Sequence, residues 1–239
     1  MRLCAGTSGY AYKPWKGKFY PADLPDGEML RYYGERFRAV EINNTFYRMP
    51  TPVVLDGWAG QVPEAFRFVL KAPQRITHLQ RLKDAGAAVA QLIKVAGTLK
   101  SRLGPLLFRL PEDLSKDISA LRDFLALLPG DCRAVMDFRH QSWFDDEVFS
   151  ALRERGAALC IADAESGLEV PFVPTAGWGY LRLRRPDYDD AALAAWIKRI
   201  REQAWDDAFV FFRHEDEARG PRLAARFMEL MELPKAGTA

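Results

Sequence analysis

The chain has 239 residues, 49% hydrophobic and 28% charged, a balance that excludes disordered, collagen-like and disulfide-scaffold proteins. At about 150 residues per domain this length allows one large domain or two small ones; no Ser/Gly linker, low-complexity stretch or charge block marks a boundary, so a single domain over residues 1–239 is expected. Lys and Arg number 34 against 32 Asp and Glu, a net charge of +2, which argues against the broadly basic surface used for sequence-independent nucleic-acid or membrane binding.

Short apolar runs that read as strands lie at Leu3–Thr7, Val40–Thr45, Phe66–Lys71, Pro105–Leu110, Ala134–Arg139, Ala158–Asp163, Gly179–Arg184 and Ala208–Arg213. Helical spacing recurs between them. Ile118, Leu121, Leu125 and Leu128 share one face, as do Leu193, Trp196, Ile197 and Ile200, and Leu223, Phe227, Leu230 and Met231. Asp145, ahead of Val148 and Leu152, reads as an N-cap, and Pro221 suits a first helical turn. Ala164–Trp178, holding Ser166-Gly167, Pro171 and Pro174, shows no helical pattern and is expected to be a loop or one short turn. Eight strands alternating with about seven helices predict an α/β fold, a TIM-like (β/α)₈ barrel with an irregular connection between strands 6 and 7. The alternative is an open doubly wound sheet, which no G-x-G-x-x-G or Walker pattern supports, and no cofactor is expected.

Cys4, Cys132 and Cys160 are far apart and odd in number, and they sit in apolar surroundings. They read as small buried hydrophobes in a reducing compartment. No run of about 18 apolar residues and no signal-like start is present, so a cytoplasmic protein without a membrane partner is expected.

In such a barrel one strand face meets the helices and the other meets the lumen, so charges inside strands carry information. Val40 and Ile42 alternate with Glu41 and Asn43, Phe68 and Leu70 with Lys71, and Leu106, Phe108 and Leu110 with Arg109. Met136 and Phe138 alternate with Asp137 and Arg139, Leu181 and Leu183 with Arg182 and Arg184, and Val210 and Phe212 with Arg213; Asp163 shares parity with Ile161. Burying the apolar sets against helices turns the charges inward at the carboxyl ends of the strands, where barrel enzymes carry their active sites. Counted this way, Lys71, Arg109, Arg139, Arg182, Arg184 and Arg213 oppose Glu41, Asp137 and Asp163, six against three. Such groups must pair, bind a ligand or sit in a wet pocket. One reading is a structural network of Arg-clamped carboxylates; the other is a pocket for an anion.

Arginines at these positions supply forked donors for carboxylate or phosphate. Glu41 and Asp137 are a candidate acid and base, and His140 and His78 are candidate proton shuttles near neutral pH. Lys71, between Leu70 and Ala72-Pro73, is a candidate Schiff-base amine or a plain cation. A metal set from His140, His214, Glu215, Asp163 and Asp137 lacks any His-x-His or H-E-x-x-H spacing and is opposed by the arginines beside it, so no metal is expected. The loop Tyr10–Tyr20 interleaves aromatics, Trp15 among them, with Lys13, Lys16 and Lys18. It reads either as a lid that stacks on a ligand or as an aromatic cluster sealing the barrel.

Longer motifs carry a family resemblance. Gly6-Thr7-Ser8-Gly9-Tyr10 with Trp15, Gly17 and Phe19-Tyr20-Pro21, then Val40–Arg48 with Pro50, resemble the YecE-like family, domain of unknown function 72. Lys71-Ala72-Pro73 with Ile76-Thr77-His78, Leu103-Gly104-Pro105, and Phe138-Arg139-His140 with Ser142-Trp143-Phe144 agree with it. The resemblance implies a TIM-like barrel and no established activity. Within these motifs Ser8, Tyr10, Trp15, Asn43, Tyr47, His78 and Trp143 join Arg109, Arg139, Asp163, Arg182, Arg184 and Arg213 as candidate ligand contacts. The family pattern usually has Trp at Tyr10, Gln at Arg109, Glu at Asp137, His-Gly at Arg184-Arg185 and an Asn pair at Arg213-His214. Permanent cations at such positions bias the pocket toward an anion.

The expectation is a metal-independent enzyme acting by acid–base chemistry on a small phosphorylated or carboxylated, sugar-like or nucleotide-like molecule, with Glu41, Asp137, His140 and Lys71 as catalytic candidates. A metal-dependent phosphodiester hydrolase on nucleic acid and a non-catalytic ligand-binding barrel are the alternatives. Sequence leaves the oligomeric state open.

Overall fold

Strands that are apolar on both faces are stable only with both faces covered, which is the situation in a barrel ringed by helices. The computed structural model describes residues 1–163, 167–213 and 216–232. Its strands are β1 (Arg2–Ser8), β2 (Ala39–Ile42), β3 (Arg67–Lys71), β4 (Leu103–Arg109), β5 (Ala134–Asp137), β6 (Ala158–Asp163), β7 (Trp178–Leu183) and β8 (Asp207–Phe212). All pair in parallel and in chain order, and β8 pairs with β1 to close the barrel. The helices are α1 (Met29–Gly34), α2 (Pro52–Ala59), α3 (Gly86–Ala96), α4 (Ile118–Ala126), α5 (Asp146–Arg155), α6 (Asp190–Arg201) and α7 (Arg219–Glu232).

Aspartates start three of these helices by accepting the second or third free N–H of the first turn: Asp117 from Ala120, Asp145 from Val148 and Asp189 from Ala192. Pro221 lies in the first turn of α7, where its missing N–H costs nothing. Strand β2 ends three residues before its expected limit because Asn44–Phe46 coils into a 3₁₀ turn, and the Thr45 hydroxyl bonds both Ile42 O and Lys71 O. That hydroxyl ties the exit of β2 to the end of β3. A Cβ at Gly6 would lie 1.9 Å from Ala39 O, so glycine alone permits the approach of β1 to β2.

No helix occupies 167–177. Phe172 stacks on Trp205 at 5.8 Å, and the Thr175 hydroxyl bridges Leu159 N and Ala157 O, each at 2.8 Å, so this loop covers β6 and β7 with side chains where other units use a helix. Ala164, Glu165 and Ser166 of the connection lie outside the described residues.

Two cores result. The outer one packs Val40, Phe68, Phe108, Met136 and Val210 against the helices, and the inner one fills the lumen with Cys4, Val69, Leu107, Val135, Cys160, Tyr180 and Phe209. The cysteines are free; burial pushes the Cys160 thiol far up and that of Cys132 to about 11, which leaves them as inert hydrophobes. Among the described residues no helix is long and apolar enough to cross a membrane.

Candidate functional site at the carboxyl ends of the strands

Inward parity places one charged layer above the apolar lumen. Glu41 on β2, Asp137 on β5 and Arg182 on β7 are all buried. The Arg182 guanidinium reaches Asp137 Oδ2 at 2.6 Å with Nη1 and Glu41 Oε1 at 2.8 Å with Nη2. Glu41 Oε1 also accepts from Ser8 Oγ at 2.7 Å and Asn43 Nδ2 at 3.1 Å, while Oε2 accepts from the Tyr180 hydroxyl at 2.6 Å. Burial alone would raise the Glu41 carboxyl, but the Arg182 and Arg184 charges and these hydrogen bonds outweigh it and bring it to about 2. Glu41 is therefore an anchored carboxylate and does not have the acidity of a general base working near pH 7. Asp137 Oδ1 and Arg182 Nε are buried and make no hydrogen bond among the described residues.

Four further cations surround this clamp. Lys71 ends β3 with its Nζ 3.8 Å from the centre of the Phe46 ring. Arg109 ends β4 with its Nε 4.0 Å from Asp137 Oδ2, and Arg184, just past β7, puts Nη2 3.7 Å from Glu41 Oε1. Arg139, beyond β5, has a buried Nε without a hydrogen bond and extends Nη2 to 3.7 Å from Glu112, a carboxylate exposed on the rim that also lies 3.6 Å from Arg109. Among the described residues this layer sets five cations against two buried carboxylates, with the exposed Glu112 as a third at the rim. Their mutual repulsion is visible. Burial, then Arg109 and Arg182, lowers the Lys71 ammonium to about 8, and burial, then Arg182, lowers Arg184 to about 10. His78 is lowered by burial and then by Lys71 and Arg109. Cations that depress one another in a sheltered mouth are a site short of negative charge.

The histidines stand on either side. His78 lies edge-on to Phe46 at 4.8 Å, and its Nδ1 meets the Thr77 hydroxyl at 2.9 Å. His140 Nδ1 accepts from Ser142 N at 3.3 Å and meets its hydroxyl at 2.8 Å, capping the turn Gln141–Trp143, so Nε2 is the nitrogen left for proton exchange.

Other sequence candidates sit apart. Trp15 and Trp143 are each 1% exposed and present no surface to a ligand: Trp15 packs among Tyr12, Phe19 and Tyr20, and Trp143 stacks on Phe138 while donating to Leu114 O. The Tyr10–Tyr20 loop is thus the sealing cluster, its Lys16 and Lys18 turned away to Asp26 and Glu217. Tyr10, which packs at 6.2 Å from Tyr33, belongs to the same cluster. Tyr47 is exposed beside Phe46. Asp163 does not turn inward, because it keeps the parity of Ile161, a helix-facing residue; its carboxylate holds Arg185 and the Tyr188 hydroxyl, each at 2.9 Å. Arg213 is exposed past the end of β8. His214 and Glu215 lie outside the described residues, and among the described residues no three His, Cys, Asp or Glu side chains gather as a metal set.

Two groups escaped sequence reasoning. Tyr180 shares parity with Arg182 and Arg184 but reads as apolar, although its hydroxyl is a main support of Glu41. Asp207, at the opposite mouth, opens β8 and pairs with Arg2 at 2.8 Å and Arg133 at 2.5 Å; three charges from distant segments share no local pattern.

Comparison with known proteins agrees with the fold. The family model described as "Protein of unknown function DUF72" matches residues 4–238. The UPF0759 protein YecE of Escherichia coli K12 is 30% identical over 141 residues, 56% of this chain and 52% of the relative; the chain spans about half the length of that curated relative. The UPF0759 protein YunF of Bacillus subtilis is 24% identical over 266 residues, 92% of each chain. A solved DUF72 family protein from Thermotoga maritima superposes with a TM-score of 0.87 at 23% identity, covering 98% of this chain and 100% of its own. One from Enterococcus faecalis gives 0.78 at 17% identity, covering 98% and 96%.

Proposed function

This chain belongs to the DUF72 family of proteins of unknown function, and from its own residues we propose that it is a barrel enzyme acting on a small phosphorylated or carboxylated molecule, sugar-like or nucleotide-like, by acid–base chemistry that uses no metal. The observation that carries this reading is the excess of cations over carboxylates at the carboxyl ends of the strands, five against two buried carboxylates and the exposed Glu112. Arg182 orders the site by clamping Glu41 and Asp137. Arg109, Arg139 and Arg184 offer N–H forks to an oxyanion, a geometry suited to phosphate and carboxylate. A dication would meet repulsion from the same groups. With Glu41 held ionised, proton transfer falls to Lys71, His78 and His140.

The clamp also favours one rival, a barrel that binds the anion without turnover, since both buried carboxylates are already engaged. Product formed from a bound ligand decides between them. Thermal unfolding in inorganic phosphate, sulfate and a panel of sugar phosphates tests the shared premise. A ligand at 100 times its Kd adds about 2.7 kcal/mol, about 5–10 °C for a domain of this size, and Arg139→Ala should erase that rise. No stabilisation by any member of the panel would overturn the reading.

A further inference from the structure

We propose that Lys71 is a nucleophile that forms a protonated imine with the substrate, so that the substrate class is a small aldehyde or ketone carrying a phosphate or carboxylate. This rests on the anion site just described and adds a covalent step to it.

Placement is the first support. Lys71 is the last residue of β3, in the layer where Arg109, Arg139 and Arg184 would hold an oxyanion and close enough to Arg109 to feel its charge, so a carbonyl compound held by that oxyanion shares the layer with the amine. Surroundings are the second. The Nζ lies on the face of Phe46, and among the described residues Lys71 makes no ion pair with a carboxylate; the two buried carboxylates are drawn to Arg182. Other lysines lie against carboxylates, Lys16 by Asp26, Lys18 by Glu217, Lys83 by Asp117 and Lys116 by Asp145. Availability of the free base is the third. With its acidity brought to about 8 by burial and by Arg109 and Arg182, roughly a tenth of Lys71 is neutral amine at pH 7, against about one part in three thousand for an ordinary lysine.

His78 completes the group. It packs on the same Phe46 ring, and burial and the Lys71 charge favour its neutral form. The Nζ lone pair attacks the carbonyl carbon, a C–N bond forms, and the C=O pair moves to oxygen, which takes a proton. The nitrogen gives up one proton to His78. His78 returns it to the carbinolamine oxygen, the C–O bond breaks, and water leaves a protonated imine. Amine, carbonyl compound and one proton thus become imine cation and water, with no change of oxidation state.

Reductive trapping tests this. The protein is incubated at pH 7.5 with pyruvate, glyoxylate or dihydroxyacetone phosphate, and separately with neutral glycolaldehyde, then treated with sodium borohydride and mapped by peptide mass spectrometry. We expect one dominant adduct, on Lys71, at least tenfold more abundant with an anionic carbonyl than with glycolaldehyde and suppressed by inorganic phosphate. Lys71→Met should abolish it. Arg139→Ala, which keeps the amine, should reduce trapping of the anionic probes at least fivefold more than that of glycolaldehyde. Adducts spread over exposed lysines, or none on Lys71 although phosphate stabilises the protein, would overturn the imine and leave the anion site standing. Equal trapping of Lys71 by neutral and anionic probes, with no stabilisation by phosphate, would support the nucleophile and overturn the anion site beneath it.

Discussion

The two mouths of the barrel solve the same electrostatic problem with opposite stoichiometry. At the carboxyl ends one guanidinium, Arg182, serves two carboxylates, and all three side chains are at most 1% exposed. At the amino ends one carboxylate, Asp207, serves two guanidiniums, Arg2 and Arg133, which are 43% and 41% exposed, and a 390 Å³ cavity with Arg67 and Lys100 in its wall opens beside them. Both mouths carry surplus positive charge, yet water screens the paired guanidiniums of one more than the clamp of the other. Around Asp207 the paired Arg2 and Arg133 are largely in water, while Arg67, lowered by burial and then by Arg2, spends its Nη1 on Glu64 O and Phe66 O. Around Arg182 the cations are pressed together in a medium of lower effective dielectric, where charges interact several times more strongly. An anion gains most where the protein's own screening is weakest, which is the ground for the binding proposed at the carboxyl ends.

Breaking each clamp should expose this difference. Arg182→Met strands two buried carboxylates and should cost about 3–5 kcal/mol in chemical denaturation. The acid limb should show the same dependence. Glu41 sits at about 2 when folded against an ordinary 4.5, so the folded state binds its proton more weakly, and the stability it adds is complete above pH 4.5 and lost as pH falls toward 2. That loss is about 3 kcal/mol from a shift of this size, and Glu41→Gln should flatten the acid limb of stability against pH. Lys71 carries the opposite sign. Its folded value of about 8 lies below the ordinary 10.5, so the buried charge destabilises the fold below pH 8 and the penalty fades as pH rises from 8 to 10.5. Lys71→Met should therefore stabilise the protein at pH 7 by about 1–2 kcal/mol after solvent screening, with no gain at pH 10.5. Asp207→Asn, whose partners are half in water, should cost least, about 1 kcal/mol.

What sequence could and could not show follows from the same physics. Alternation within strands is a local rule, and it located Glu41, Lys71, Arg109, Asp137 and Arg182 because a barrel strand has only two faces. Asp145 announced its helix because capping spans three residues. Whether an inward charge meets a ligand or a partner depends on strands far apart in the chain: the distance from Arg182 to Glu41 bridges 141 positions, and no local pattern encodes it. Aromatic residues misled for a related reason. Trp15 and Trp143 carry family motifs, but their rings fill gaps between loop and barrel, and burial is a property of the assembled fold. Asp163 looked inward only while its parity with Ile161 was set aside, and Tyr180 was missed because a phenol counts as apolar until its hydroxyl finds a carboxylate.

The central claim is that the mouth at the carboxyl ends holds an anion and the mouth at the amino ends does not. Isothermal titration with inorganic phosphate on the protein, on Arg139→Ala and on Arg67→Ala measures this directly. The account predicts a single site whose affinity falls at least tenfold in Arg139→Ala and is unchanged in Arg67→Ala. Binding that survives Arg139→Ala and disappears in Arg67→Ala would contradict it.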